Sequence, residues 1–327
     1  MKNRSPGNFF RLFAIALGLT GAHIAIAQEP FPSKPIRLIV AFAPGGSGDL
    51  FGRLVGQHIS QAMKVPVVVE NRAGATGTIA TAAVASAPAD GYTLLMATSS
   101  SHYSAYLYKS VPYDLEKDLA PVSNFAVVPL FVVANPSLAA NNVQELIALA
   151  KKNPGKISYS SPGSGGLAHL GTEMFSSLAG IRMLHVPYKG AAPAVADVIA
   201  GRIDLIFDSV STSGPHVRSG KLKAIAIASA KRAAGAPEVP TIAESGLPGF
   251  EATYWLGWFA PGGTPAPVLN ALNAEVRRYM MTPEMQKRVV DMGGYVAADS
   301  PSDFAAYLKQ DSARWIKVIR ESGITLD

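Results

Sequence analysis

The 327-residue chain contains no cysteine. That excludes a disulfide framework, a thiolate metal site and a cysteine nucleophile together. Charge is scarce too: Asp, Glu, Lys and Arg make up 16% of the residues, where soluble domains average about 25%. No run of Lys and Arg is interleaved with aromatics, so neither a nucleic acid nor a lipid surface is an expected partner. Beyond the N-terminus no apolar run is long enough to span a bilayer.

The N-terminus is the exception to that polarity. Lys2, Arg4 and Arg11 precede an apolar stretch at residues 12–27 that ends in Ala25, Ile26 and Ala27. A basic head, a short apolar middle and a small-x-small end describe a secretory signal peptide, residues 1–27, cut after Ala27. Gly18, Thr20, Gly21 and His23 interrupt the stretch, which is also shorter than the roughly 20 residues a spanning helix needs. The chain is therefore expected to be exported. Losing the leader removes three positive charges and takes the formal net charge from +6 to +3. The remaining length suits two domains better than one.

Apolar runs rich in Val, Ile and Leu recur along the chain: IRLIVAFA, VPVVVEN, YTLLMAT, LFVVAN, KISYSS, MLHVPY, IDLIFD and LKAIAIAS. Segments with helical spacing separate most of them. Phe51, Val55, Ile59 and Ala62 share one stripe, as do Leu167, Leu170, Met174 and Leu178, and Ala191, Val195, Val198 and Ile199. Continuous apolar strands alternating with amphipathic helices predict an α/β fold with sheets covered on both faces. A strand, glycine turn and helix occur twice, in IRLIVAFAPGGSGDLFGRL and about 120 residues later in KISYSSPGSGGLAHLGTEMF. Two such units predict two lobes whose turns face one cleft, because ligands bind outside the carboxyl ends of strands in open α/β sheets. The expected division is residues 28–123 with 229–327 as a discontinuous first domain, and 124–228 as the second.

The two turns are the candidate site. In PGGSGD, Gly45, Gly46 and Gly48 let a ligand approach the main chain, and successive N–H groups ahead of a helix attract an anion. Asp49 suits an N-cap, paired with Arg53 one turn on, as well as a ligand contact. In SSPGSGGLAH, hydroxyls of Ser160, Ser161 and Ser164 stand beside Gly163, Gly165 and Gly166. His169 follows, either as an anion contact or as an ordinary polar helix residue. His169 and Glu173 have metal-ligand spacing but no third ligand in view, so no metal site is expected. Asp208, closing IDLIFD, is read equally as a receiver of a ligand amine or hydroxyl and as a partner of the following turn SVSTSG. TSSSH, ending in His102, offers further hydroxyls. Trp255 and Trp258, in YWLGWFAPGGTP, are candidates to wall the cleft, with the core as their default place.

Sharper chemistry fails on spacing. Neither turn has the Lys-Ser/Thr of a phosphate-binding P-loop. Gly163 to Ala168 spells G-x-G-x-x-A, but the next strand ends in HVPYKG without an acid for a ribose. Neither serine completes the G-x-S-x-G of a nucleophile elbow, since Ser47 lies in G-x-S-x-D and Ser164 has Pro162 where the first glycine is required. No cofactor is called for, and non-covalent binding is favoured over a secreted serine hydrolase built on Ser164 or Ser47.

Taken in order, FAPGGSGDLFGRL, PVVVENRAGATGTIA, ADGYTLLMAT, VPYDLEKDLAPVS, SSPGSGGLAHLGTEMF, HVPYKGAAPAVADVIAGRIDLIFD, GKLKAIAIAS, VPTIAESGLPGF and WLGWFAPGGTP resemble the Bug family. These are extracytoplasmic solute receptors of tripartite tricarboxylate transporters. The resemblance runs from about Pro35 to near the C-terminus. It implies a type II-like periplasmic binding-protein fold that closes as a monomer on a small carboxylate and delivers it to membrane permease subunits. It further implies contacts from Pro44, Gly45, Gly46 and Asp49 on one side and Ser161, Gly163, Gly165, His169 and Asp208 on the other, with Ser101 and His102 as a weaker pair. Departures include Pro44 and Gly48, and NRAGATG in place of NRPGAGG. Were Tyr103, Tyr106 and Tyr108 to line the pocket, an aromatic acid would be as expected as an aliphatic di- or tricarboxylate. A sensor feeding a membrane kinase would use the same residues.

Overall fold

The computed structural model describes residues 31–42, 44 and 47–326. The expected leader with its cleavage after Ala27 lies outside the described residues, and so do Gly45 and Gly46.

The apolar IRLIV run forms β1 (Ile36–Val40), four of whose five side chains are buried. A strand apolar on both faces belongs inside a sheet covered twice. After it come α1 (Ser47–Met63), β2 (Val67–Asn71), a short 3-10 turn at Ala75–Gly77, α2 (Thr78–Ala85), β3 (Thr93–Thr98) and α3 (Ser99–Leu107). β1 pairs in parallel with both β2 and β3. The expected stripe of α1 is inside: Phe51, Val55 and Ile59 are each fully buried, and each such side chain contributes about 1.5–3 kcal/mol. α1 begins at Ser47, so Asp49 sits within its first turn rather than capping it. A carboxylate there still interacts favourably with the helix dipole, and its expected ion pair with Arg53 is present at 3.0 Å.

The chain then runs through β4 (Leu119–Ala134), α4 (Val143–Lys152), β5 (Ser158–Ser161), α5 (Leu167–Ala179), β6 (Leu184–Pro187), α6 (Ala191–Ile199), β7 (Leu205–Ser209), α7 (Val210–Arg218) and β8 (Lys223–Ile227). It finishes with β9 (Thr253–Pro261), α8 (Ala266–Met280), α9 (Pro283–Asp291), β10 (Tyr295–Val296) and α10 (Pro301–Ser322). β5 lies parallel to β6 and β7, repeating the local βαβ plan of β1 to β3. This is the mixed α/β fold that the alternating pattern predicts.

Strand β4 joins the two sets. From Leu119 to Pro129 it pairs antiparallel with β9, which pairs antiparallel with β3. From Leu130 to Ala134 it pairs with β7 and β8 instead. The order along the sheet is β2-β1-β3-β9-β4-β7-β5-β6, with β8 and β10 also on β4. Ser123, where the first crossing was expected, falls inside this unbroken strand, and Ala228 immediately follows β8. Apolar clusters fill both faces: Val40, Val55 and Trp258 on one side of the first strand set, Ile39, Trp255 and Phe304 on the other. Helix α10 packs on β4, α3 and α5. Its last turns put Trp315, Val318 and Ile319 into one core with Phe175 and Phe207. Trp255 and Trp258 are both fully buried, as the sequence suggests.

Candidate ligand-binding cleft

A cavity of about 760 Å³ opens at the carboxyl ends of β1, β3, β5 and β7. Its floor is Val128, Pro129 and Leu130 of β4, where the strand changes partners. Tyr254 and Met292 wall one side, and Phe207 walls the other. Much of the remaining lining comes from helix starts and the turns that lead into them. Ser47 opens α1, Ser100 lies in the first turn of α3, Leu167 and Ala168 open α5, Ala191 opens α6, and Ser211 and Thr212 stand in the first turn of α7. Each connection is short because a strand end feeds a helix almost directly, so each helix brings its N-terminal turn to the same space, with α3 and α7 capped by Thr98 and Ser209.

Five positive helix ends therefore converge on one cavity. Each carries a partial charge of roughly +0.5 from its aligned peptide dipoles. α5 and α6 start on Gly166 and Gly190 with no side-chain cap. Among the described residues lining the cavity there is no lysine and no arginine, and the sole ionisable carboxyl is Asp208. Burial raises the Asp208 carboxyl above the usual range, while bonds from Ser213 and the Ser209 backbone partly offset this. The Ser213 hydroxyl donates to its Oδ2 at 2.5 Å. Ser47 Oγ and the Tyr254 hydroxyl approach to 3.4 Å on the opposite wall. The arrangement attracts an anion by dipoles and hydroxyls rather than by counter-ions.

Residues 51–324 match the profile of TctC, the tripartite tricarboxylate transporter family receptor. The chain belongs to this family. The TctC receptor is 36% identical to Protein BugT of Bordetella pertussis, over 98% of its own length and 99% of that protein. Its fold is similar to that of Rpa4515 of R. palustris, solved with adipate, at 33% identity and a TM-score of 0.76, covering 90% of this chain and 99% of that one. It is also similar to MatC of Rhodopseudomonas palustris, solved with malate, at 30% identity and a TM-score of 0.74, covering 88% and 100%. The receptor is a periplasmic solute-binding protein by this membership.

The sequence-predicted residues divide into those that line the receptor's cavity and those behind it. Gly163 and Asp208 line it. Ser161 is fully buried beneath the turn, its hydroxyl donating to Gly163 O at 3.0 Å. Gly165, with φ +73°, gives its N–H to His169 Nδ1 at 3.1 Å, so both look inward at each other. Pro44 is exposed in the turn ahead of α1. Asp49 Oδ1 accepts from Arg53 and from Asn71 Nδ2 at 2.8 Å, tying α1 to β2. Ser101 closes a capping box with Thr98. His102 is buried among Tyr103, Trp255 and Phe259, facing a separate cavity of about 230 Å³ beside α10. Tyr103 is buried against Trp315 and does not line the cleft, which leaves the aromatic-acid argument without that support.

Sequence reasoning missed Thr76, Tyr254 and Met292 as lining residues. Pairing of β9 with β4 brings Tyr254 to the cleft, the turn from α9 into β10, which also pairs with β4, brings Met292, and the 3-10 turn within NRAGATG brings Thr76. Ser100 and the α7 hydroxyls lay within segments already noted for their serines.

Proposed function

We propose that this periplasmic receptor captures a small carboxylate in the cleft and delivers it to the membrane permease of a tripartite tricarboxylate transporter. The observation that carries the reading is the convergence of five helix N-termini on a cavity whose described lining holds neither lysine nor arginine. Backbone dipoles favour a carboxylate there without a buried cation that would have to be desolvated. Adipate and malate in the related structures support an aliphatic di-acid as the first class to test.

In this reading residues 28–123 with 229–327, and 124–228, act as two lobes that close about the strand exchange at Pro129. The loop of Pro44, Gly45 and Gly46 supplies one grip, and the turn at residues 161–166 with Asp208 supplies the other. Binding over catalysis is supported by the Ser161–His185 contact of 2.7 Å, whose serine is fully buried and already donates to Gly163 O. A nucleophile needs access to its substrate.

The test is a melting-temperature screen of ligand-stripped receptor against adipate, malate, their amides, and sugars. A ligand at a hundredfold excess over its Kd adds about 2.7 kcal/mol, a shift of several degrees for a protein this size. Stabilisation by the acids and not the amides is the expected result. Stabilisation by amides or sugars alone would remove the carboxylate assignment.

A further inference from the structure

We propose that His169 and His185 are positioning residues that hold the turn at residues 161–166 in its ligand-facing shape, and do so only while His169 is uncharged. The inference rests on the binding reading above and assigns what controls that half of the grip. Behind the turn the two imidazoles are stacked, centroids 3.8 Å apart and nearly parallel at 11°. Each fastens a different point of the turn. Gly165 N–H donates to His169 Nδ1 at 3.1 Å. Since the Ser161 hydroxyl donates to Gly163 O, the 2.7 Å contact between Ser161 and His185 Nε2 must have the imidazole N–H as donor.

The chemistry of these two bonds is unequal. An imidazole accepting at Nδ1 carries its proton on Nε2 and is neutral. Protonating His169 places a hydrogen on Nδ1, where the Gly165 N–H already points, so the bond and the cation cannot coexist. His185 donates through Nε2 in either state. Gly165 is held from its other side by Leu107 and Leu326, whose methyl groups lie 3.1 Å from where a Cβ would stand. Glycine leaves its φ of +73° readily, so beside that packing the His169 bond is what fixes the direction of the Gly165 N–H, and losing it frees the turn to reshape.

The surroundings keep the pair neutral. His169 is 8% exposed, and burial followed by the neighbouring His185 lowers it to about 4; burial also lowers His185. On β5, Tyr159 stacks on His185 at 4.9 Å and its hydroxyl donates to Glu173 of α5 at 2.5 Å. Glu173 is thereby occupied. α10, which also packs on α5, brings Glu321 to Ser177, two turns further along. Among the described residues no carboxylate is bonded to either imidazole.

The test combines an imidazole and amide NMR titration with affinity measurements for adipate and malate between pH 7.5 and pH 4.5. In the wild type His169 should hold the Nε2–H tautomer, titrate near pH 4, and share its midpoint with the Gly165 amide shift. In His185→Ala that common midpoint should rise. A rise of about 1.5 units would weaken binding at pH 4.5 about eightfold more than in the wild type, the ratio at each pH cancelling the ligand's own titration. His169→Gln, whose carbonyl can accept from Gly165, should retain affinity at pH 7.5. A Gly165 amide that ignores the His169 titration, or variant profiles that superpose on the wild type, would overturn the proposal. If the wild type binds neither acid at any pH, the carboxylate reading fails, and the NMR titration still decides the positioning role.

Discussion

Replacing His102 with glutamine should flatten the acid limb of the stability profile. His102 is 6% exposed, ringed by Tyr103, Trp255 and Phe259, and burial lowers it from 6.5 to about 4. Its folded-state pKa is thus below the unfolded value. Between those two values the unfolded chain binds the proton and the native state does not. The stabilisation is fully present above pH 6.5 and is lost as the pH falls through about 4. Carrying this from pH 7 to pH 4.5 gives a loss of about 2.5 kcal/mol from this one group. His102→Gln keeps a polar partner for Ser312, whose hydroxyl is 3.4 Å from Nε2, but cannot titrate. Urea unfolding of both proteins at the two pH values, at matched m-values, measures the difference. The wild type should lose about 2.5 kcal/mol more than the variant on acidification. Parallel profiles would refute the reasoning, whatever the variant costs at pH 7.

Gly257→Ala should destabilise by about 1–3 kcal/mol, since its Cβ would meet Ser123 O at 2.9 Å and the Phe304 ring at 2.8 Å; an unchanged urea midpoint would contradict this packing. Trp255→Phe removes a buried N–H that reaches Tyr103 Oη at 3.0 Å and Asp311 Oδ2 at 3.2 Å, and should cost about 1–3 kcal/mol from the hydrogen bonds alone, read by thermal melts of Trp255→Phe and Trp255→Phe/Asp311→Asn together. Asp208→Asn tests the only carboxyl in the described lining. Burial raises its pKa, so wild-type affinity for adipate should decline as rising pH ionises Asp208 beside the bound anion, by roughly fivefold. The ratio of wild-type to Asp208→Asn affinity, read by calorimetry at each pH, isolates that decline, and a ratio that does not change with pH would contradict it.

The fold was legible because its strands are apolar on both faces and its helices carry clean stripes. Phe51, Val55 and Ile59 needed only the 3.6-residue period, and IRLIV needed only its length, Pro35 before it and the glycine turn after it. Of the site, the turn around Gly163 and the carboxyl of Asp208 could be found because each directly closes an apolar run. Tyr254 and Met292 could not, since the antiparallel pairing of β9 and of β10 with β4 leaves no local signal. His169 and His185 illustrate a different limit. They are 16 positions apart, and only the parallel pairing of β5 with β6 and the return of α5 stack them. Asp49 was misplaced by three residues for a plainer reason: the helix already begins at Ser47, and a capping-type side chain is tolerated inside a first turn.

Strand β4 has a consequence for how the protein is made and lost. Because its first part completes the β9 edge and its second part completes the β7 and β8 edges, neither half possesses a finished core without the other. Separately expressed halves, cut at residue 123 or 228, should stay unstructured until mixed. The intact chain should melt in one cooperative step, so that damage far from the cleft in either half is felt by the whole.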